Sequence, residues 1–351
     1  MRAEQATTSE RGEAAGGLAV SLVVPVRNEE ASLAALVESI RRQTHRPAEV
    51  ILVDGGSTDA TVRVAREIAA TDETLRVIEA KEATPGRGRN IGIGAARFEW
   101  IALTDAGIRL EPVWLERLVR VVREDPEMSV VYGNYEAATG GFFERCAALV
   151  YLPPKVERAG APVRGPSVAS MLLRREVWEA VGGFPDLRAA EDLFFMEHIE
   201  RLNFKTGYAP DATVWWHLQP TLRKTFRRFM LYSRHNVWVG RQWDWHYGLA
   251  RQYAVWLVFV ALALVHSRWW LVVPVTGVLA RAAKSIYVRR EGRGLGWLLN
   301  PVQFAGVVLV MLAVDLATFA GWAQAVWRRN DNAGTAARVN APKPEAERES
   351  R

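Results

Sequence analysis

The chain has 351 residues, with 45 Lys and Arg against 39 Asp and Glu, a net charge of +6 and a single cysteine. That length suggests two or three domains' worth of chain, and Cys146 alone excludes an intrachain disulfide, in keeping with a cytosolic domain. The excess base sits around residues 223–251 and 281–293 beside apolar runs, which favours anionic headgroups over nucleic acid, for which there is no reading module.

Residues 1–17 carry Glu4, Glu10 and Glu13 without an apolar core, so they do not read as a signal peptide, and a disordered tail is expected. Ala19–Val26 (AVSLVVPV) is a nearly continuous β-rich run, the pattern of a strand buried on both faces. Leu33, Leu36, Val37 and Ile40 then make a helical i, i+3, i+4, i+7 stripe. Glu49–Asp54 (EVILVD) predicts a second strand ending in a carboxylate. Gly55-Gly56 turns the chain, and Ser57, Thr58 or Asp59 can cap a helix from Ala60. Leu75–Glu79 predicts a third strand, and the glycine-rich, basic segment Gly86–Arg97 leads into a fourth. That stretch, Phe98–Leu110 (FEWIALTDAGIRL), delivers Asp105 beyond Trp100–Leu103, followed by two residues too small to shield it. Ligands of open α/β sheets collect beyond the carboxyl ends of the strands, which makes Asp105 a site candidate; Asp and Gly are equally ordinary turn residues. Pro112 suits the first turn of another helix, and Val130–Tyr132 a further short strand. The alternation implies βαβ units and a parallel sheet with right-handed crossovers.

This is no ordinary dinucleotide fold. The loop Arg27-Asn28-Glu29-Glu30 holds no G-x-G-x-x-G, Gly86, Gly88, Gly92 and Gly94 do not match that spacing, and there is no Walker A lysine. In order and spacing, VSLVVPVRNEEASL, EVILVDGGSTDAT, GRGRNIGIGAA and WIALTDAG resemble the nucleotide-binding half of family 2 glycosyltransferases with the A-type fold. Arg174–Phe184 (RREVWEAVGGF), Glu191-Asp192, Tyr208–Val214 and His217 match the second half, so the resemblance spans roughly residues 19–235. It implies an α/β, A-type glycosyltransferase fold at 18–218, a Rossmann-like and mostly parallel sheet flanked by helices, followed by an α-helical membrane-associated region.

Transfer from a nucleotide sugar requires that the nucleoside be held, the diphosphate's charge be neutralised and the acceptor hydroxyl be deprotonated. The resemblance implies that Pro25, Val26, Arg27, Asn28, Glu29 and Asp54 contact base and ribose, with Asp54 accepting from a ring N–H; a turn residue at the start of a helix is the alternative for Asp54. Arg87, Arg89, Asn90, Thr104 and Asp105 are implied to bind the rest of the nucleotide sugar. Guanidinium forks suit phosphate, although a solvated basic loop reads almost as well. The family's Asp-x-Asp holds a divalent cation (Mg2+ or Mn2+), a Lewis acid and clamp for the diphosphate. Here Gly107 replaces the second acid, leaving Asp105 and His217 as metal candidates; an interfacial histidine behind Trp215 and Trp216 is the other reading of His217. Asp192 is implied as general base of an inverting in-line displacement, with Glu191 orienting the acceptor; N-capping of the helix carrying Leu193, Met196, Ile199 and Leu202 competes with both roles. Gly182, Gly183 and Phe184 would shape the acceptor floor.

Residues 219–251 set Leu222, Phe226, Phe229 and Met230 against Arg223, Lys224, Arg227, Arg228 and Arg234, with Trp238, Trp243, Trp245 and Tyr247 following, the composition of a helix lying in the headgroup layer. Residues 252–327 read as membrane-embedded helices. Tyr253–Val265 and Trp269–Leu279 fit a hairpin of shortish spans, with a re-entrant or interfacial pair as the alternative. Lys284, Arg289, Arg290 and Arg293 place the following loop on the cytoplasmic side. Leu298–Trp327 is interrupted by Asp315 and fits either one crossing or two half-length segments; residues 328–351 read as a disordered tail. The expectation is a multi-pass protein of the cell (plasma or inner) membrane with a cytoplasmic catalytic domain. It would be an inverting glycosyltransferase whose partners are a nucleotide sugar, membrane lipids and a lipid-linked or polyprenyl-phosphate acceptor, with no nucleic acid. A processive polysaccharide synthase and an inactive nucleotide-sugar-binding scaffold are the alternatives; sugar, base and oligomeric state are not legible.

Overall fold

The computed structural model describes residues 13–14, 17–158, 160–298 and 300–327. They form two units: one from the residues up to Ala138 with Pro153–Leu218, the other from Thr139–Leu152 with the residues from Gln219 on. Of the expected N-terminal tail, Glu13–Ala14 pairs antiparallel with Gly17–Leu18; the rest of it, and the tail expected at 328–351, lie outside the described residues.

Setting aside short hairpins, the first unit runs β1 (Val20–Val26), α1 (Leu33–Arg41), β2 (Glu49–Asp54), α2 (Thr61–Ala69), β3 (Leu75–Glu79), α3 (Pro85–Ala95), β4 (Trp100–Leu103), β5 (Ile108–Leu110), α4 (Trp114–Glu124) and β6 (Val130–Ala138). After α5 (Phe142–Tyr151), which belongs to the other unit, come β7 (Met171–Arg174), α6 (Arg175–Val181), α7 (Glu191–Arg201) and β8 (Thr206–His217). The strands form one sheet in the order β3-β2-β1-β4-β7-β6-β8-β5. It is parallel from β3 to β4 and between β6 and β8; the contacts of β7 with β4 and β6, and of β5 with β8, are antiparallel. The sheet is therefore mixed. The parallel part follows the expected βαβ pattern, whereas β7 is four residues run directly into a helix, too short to show a period.

Both faces of the sheet are covered. Val20, Leu22, Val24 and Val26 of β1 pack into one core with Leu33, Leu36, Trp114 and Leu118, while Val23 faces a second with Ile51, Ile93, Leu103 and Phe195. This is why β1 reads as a continuous apolar run. Strand order reverses at β1, and β1 pairs with β2 as far as Val26 but with β4 only as far as Val23. Beyond Val23 the two strands part, and the loops after β1 and β4 border the gap, the place where such sheets bind ligands.

In the second unit, α8 (Leu222–Trp238), α9 (Gln242–Val265), α10 (Val272–Val288) and α11 (Pro301–Trp327) follow α5. Among the described residues, three stretches are long and apolar enough to cross a membrane: Gln242–Val265, Arg268–Val288 and Pro301–Trp327, of 24, 21 and 27 residues. The flanks of the hairpin are helical too, so both arms reach span length. α11 runs unbroken through Asp315, because that carboxylate is satisfied inside the bundle. It accepts from Arg281 Nη1 (2.7 Å), Arg281 Nη2 (3.1 Å) and Tyr253 Oη (2.8 Å), tying α9, α10 and α11 together. The most buried stripe of α8 is Thr225, Phe229, Ser233 and Asn236; Ser233 Oγ donates to the Thr318 carbonyl of α11 at 2.6 Å.

Candidate active site

The loops after β1 and β2 are laced together. Asn28, in left-handed backbone (φ +56°), accepts at Oδ1 from Thr58 N–H (2.8 Å) and donates its own N–H to Ser57 Oγ (2.8 Å). Glu29 N–H donates to Thr61 Oγ1 at 2.7 Å. Asp54 is buried and accepts from Gly56 N–H (2.9 Å), Ser57 N–H (3.0 Å) and Ser57 Oγ. It organises its own turn, using three of the roughly four acceptor positions of a carboxylate. Val26 is a core side chain whose carbonyl accepts from Gly55; Pro25 is half-buried, and Arg27 is exposed.

The glycine-rich segment is a helix. Thr84 caps α3, accepting at Oγ1 from Arg87 N–H (3.2 Å), and Pro85 fills the first turn, where a missing N–H costs nothing. A Cβ at Gly92 would overlap the side chain of Val23, and one at Gly88 would lie 3.3 Å from Pro25 Cβ, so these glycines let the helix lie close on the sheet. That approach carries Arg89 inward. Its guanidinium, 4% exposed, donates from Nη1 to Glu191 Oε1 (2.8 Å) and from Nη2 to Asp105 Oδ1 (2.5 Å), and stacks 5.4 Å from the Phe184 ring centroid. Arg89 thus joins the acid leaving β4 to the acids opening α7, while Arg87 stays exposed.

Glu191 and Asp192 occupy the first turn of α7 behind Ala190, which takes a left-handed φ of +68° and offers no side-chain cap. Burial raises the proton affinity of both carboxyls and the charge of Arg89 opposes it; the balance leaves both above the ordinary carboxylate range. Arg89 loses by burial but gains more from Asp105 and Glu191, so it stays charged. Asp192 is half-buried, and its Oδ1 accepts from Leu193 N–H at 2.9 Å. Asn90 spends its amide on the neighbouring loop: Nδ2 donates to the Phe184 carbonyl (2.8 Å), and Oδ1 accepts from Phe184 N–H (2.8 Å) and Trp178 Nε1 (2.9 Å). Phe184, after Gly182 and Gly183, stacks on Phe195 at 3.8 Å between centroids.

Thr104 is fully buried, and its hydroxyl has no partner among the described residues; Asp105, next along, is 40% exposed. β5 and β8 pair Ile108 with Trp216, which brings His217 opposite Gly107. His217 Nδ1 lies 2.9 Å from the Gly107 carbonyl. A carbonyl only accepts, so Nδ1 carries a proton, and in the neutral ring Nε2 keeps its lone pair. Sequence reasoning missed Tyr135, whose phenol is pushed up to about 12, chiefly by burial, with Asp192 among the charges acting on it. It lies in the half of β6 beyond Tyr132, where the apolar run stops and the pattern gives no signal. Trp178, which fixes Asn90, was legible only as a member of a matching block; Ser57, read as a candidate cap for α2, donates its hydroxyl to Asp54 instead.

Residues 21–180 match the family described as Glycosyl transferase family 2. They are a family 2 glycosyltransferase domain. The chain is 36% identical over 189 residues to EpsH of Bacillus subtilis (strain 168), a glycosyltransferase by name; that match covers 50% of this chain and 54% of EpsH. To the O-antigen chain rhamnosyltransferase RfbN of Salmonella typhimurium it is 24% identical over 237 residues, covering 63% of this chain and 74% of that protein. The chain spans about half the length of EpsH and 42% of the glycosyltransferase GlyG of Streptococcus pneumoniae, to which it is 32% identical over 127 residues, 35% of its own length. The A-type fold is shared with a mannosyltransferase of Pyrobaculum calidifontis solved with GDP-Man and Mn2+, at a TM-score of 0.51 and 18% identity over 89% of this chain and 88% of that one. Asp105 lies within the matched residues 21–180, and Glu191 and Asp192 follow them.

Proposed function

We propose that this protein is an inverting glycosyltransferase, moving a sugar from a nucleotide-sugar donor to a lipid-linked or polyprenyl-phosphate acceptor at the cytoplasmic face of the cell membrane. The observation that carries the reading is the Arg89 bridge, which joins the acid at the carboxyl end of β4 to the acids that open α7. Asp192 takes the proton of the attacking acceptor hydroxyl while the bond between the sugar carbon and the diphosphate oxygen breaks, and its raised proton affinity suits a general base. Glu191, fixed by Arg89, orients the acceptor over the Phe184 floor. A membrane acceptor is supported by chain continuity: only Leu218–Thr221 separate His217 from α8 and the apolar helices after it.

A divalent cation fits these residues as a site completed by the donor. No group of three His, Cys, Asp or Glu side chains forms a metal cluster among the described residues, but such ions keep several phosphate and water ligands. Asp105 with its half-exposed carboxylate and His217 through Nε2 would hold it, and its charge would neutralise the departing diphosphate. The Pyrobaculum enzyme was solved with Mn2+.

Asp192→Asn in purified membranes tests the base. Turnover of a nucleotide sugar with native lipids should fall about 100-fold or more, and unchanged turnover would refute the assignment. A thermal-shift panel of nucleoside diphosphates and their sugars, with and without Mn2+, identifies the donor; no shift with any of them refutes the donor reading.

A further inference from the structure

We infer that Glu29 supplies the carboxylate that Gly107 does not, facing the same cation and diphosphate as Asp105. The inference rests on the donor reading above. Gly107 lies two residues past Asp105 with φ +76°, and the atoms nearest a Cβ built there are Glu29 Oε2 at 3.6 Å and Oε1 at 3.9 Å. The oxygens of an aspartate sit roughly 2.4 Å from its own Cβ. The Glu29 oxygens therefore lie little more than an ångström beyond the shell that an acid at 107 would fill.

The carboxylate is placed, not loose. Glu29 N–H is fixed on Thr61 Oγ1 at 2.7 Å, and Ser32 Oγ donates to Glu29 Oε2, which leaves Oε1 and further lone pairs to accept. The loop after β1 borders the gap that opens beyond Val23, and Asp105 leaves β4 on the other side of it. His217 holds the Gly107 carbonyl of the same turn. A glutamate one methylene longer than aspartate, reaching in from the adjacent loop, thus does for this turn what a second acid within it would do. With no cluster of three such ligands among the described residues, the cation depends on diphosphate oxygens, so uptake of metal requires nucleotide.

The test is Mn2+ uptake by the full chain in detergent, read as loss of the free-Mn2+ electron paramagnetic resonance signal, with GDP or UDP present or absent. Wild type is expected to take up Mn2+ only with a nucleoside diphosphate. Glu29→Gln should weaken that uptake at least tenfold, and by far more than it weakens nucleoside diphosphate binding in EDTA. Adding Gly107→Asp to Glu29→Gln should restore uptake to within threefold, since aspartate is among the residues that tolerate left-handed backbone. Uptake by Glu29→Gln equal to wild type overturns the inference. So does an equal loss of nucleotide binding in EDTA, which would make Glu29 a nucleoside contact only, and so does a double variant that melts like wild type without regaining Mn2+. If wild type binds no nucleoside diphosphate under any condition, the donor reading itself falls and this one with it.

Discussion

Arg89→Met removes the charge that joins the two halves of the site, and with it the guanidinium's contact with Phe184, while keeping an unbranched apolar side chain. Glu191, whose side chain is 8% exposed, is left buried without a counter-charge. Removing one partner of a buried pair costs about 3–5 kcal/mol, but Glu191 has an escape: it can take up a proton. At pH 7 that proton is already half taken up in wild type, where burial pushes the pKa of Glu191 up to about 7 despite Arg89, so up to that pH both proteins bear the same cost of neutralising it. Asp105, 40% exposed, is solvated and adds little. A carboxyl whose folded-state pKa is raised loses stability as pH climbs from its unfolded value to its folded one, by about 1.4 kcal/mol per unit. In wild type that loss stops near pH 7; in the variant, with the opposing charge gone, it continues. The gap between the two proteins should therefore open above pH 7, by up to about 2.7 kcal/mol at pH 9, a further fall in Tm of roughly 5–11 °C for a unit of this size. Thermal melts of the full chain in detergent, followed by tryptophan fluorescence from pH 6 to 9, measure it. A gap no wider at pH 9 than at pH 6 refutes the buried-pair account.

Asn90→Ala should raise KM for the acceptor and leave KM for the nucleotide sugar nearly unchanged, because its amide holds the Phe184 loop; steady-state kinetics with each substrate varied separates the two. Gly92→Val should lower stability by about 1–3 kcal/mol, since its side chain would overlap Val23, and denaturant titration reads the loss. Glu49 is fully buried and accepts from Ser21 Oγ (2.7 Å), Arg97 N–H (2.5 Å) and Arg97 Nε (3.0 Å). Burial opposes its charge, but these hydrogen bonds and Arg76 outweigh burial and hold its pKa below the ordinary value. Its stabilisation is present above the unfolded pKa and lost as pH falls through the folded one. Glu49→Gln should therefore cost about 2 kcal/mol at pH 7, a cost that shrinks as pH falls below the unfolded value and through the folded-state pKa, as read by melts across the acid range.

What was legible in the sequence divides along a physical line. Strands buried on both faces announce themselves because nothing polar interrupts them, so β1, β2 and β4 and the acids at their ends stood out. The antiparallel β7 did not, because MLLR is followed at once by helix-forming residues and four residues are too few to show a period. The glycines of α3 drew attention as a loop composition. Their use is steric and becomes visible only once Val23 and Val53 lie beneath them. Residue roles were least legible where one side chain has two uses. Asp54 is as good a turn organiser as a base contact, and its three loop hydrogen bonds decide where its lone pairs go in a way no spacing can. Arg89 sits in a basic stretch beside Arg87 with nothing to distinguish them, yet a difference of two positions on a helix sends one to solvent and the other between Asp105 and Glu191.

That placement has a further consequence for the chemistry. The proton affinity of Asp192 is raised by burial and by Asp105, and lowered by Arg89. A base acts in its deprotonated form, so the acid limb of the pH–rate profile reports this balance. If Arg89 only braced the fold, Arg89→Met would scale turnover down without moving that limb. With the guanidinium as the main charge opposing burial, its removal raises the pKa of Asp192 and the limb moves to higher pH, by about one unit or more for loss of a cation this close. Arg89→Lys keeps the charge and should keep the limb near its wild-type position while losing rate, because an ammonium cannot reach both acids as a planar fork does. An acid limb unmoved in Arg89→Met, measured on kcat/KM with the nucleotide sugar saturating, would mean that the proton leaving the acceptor does not go to Asp192.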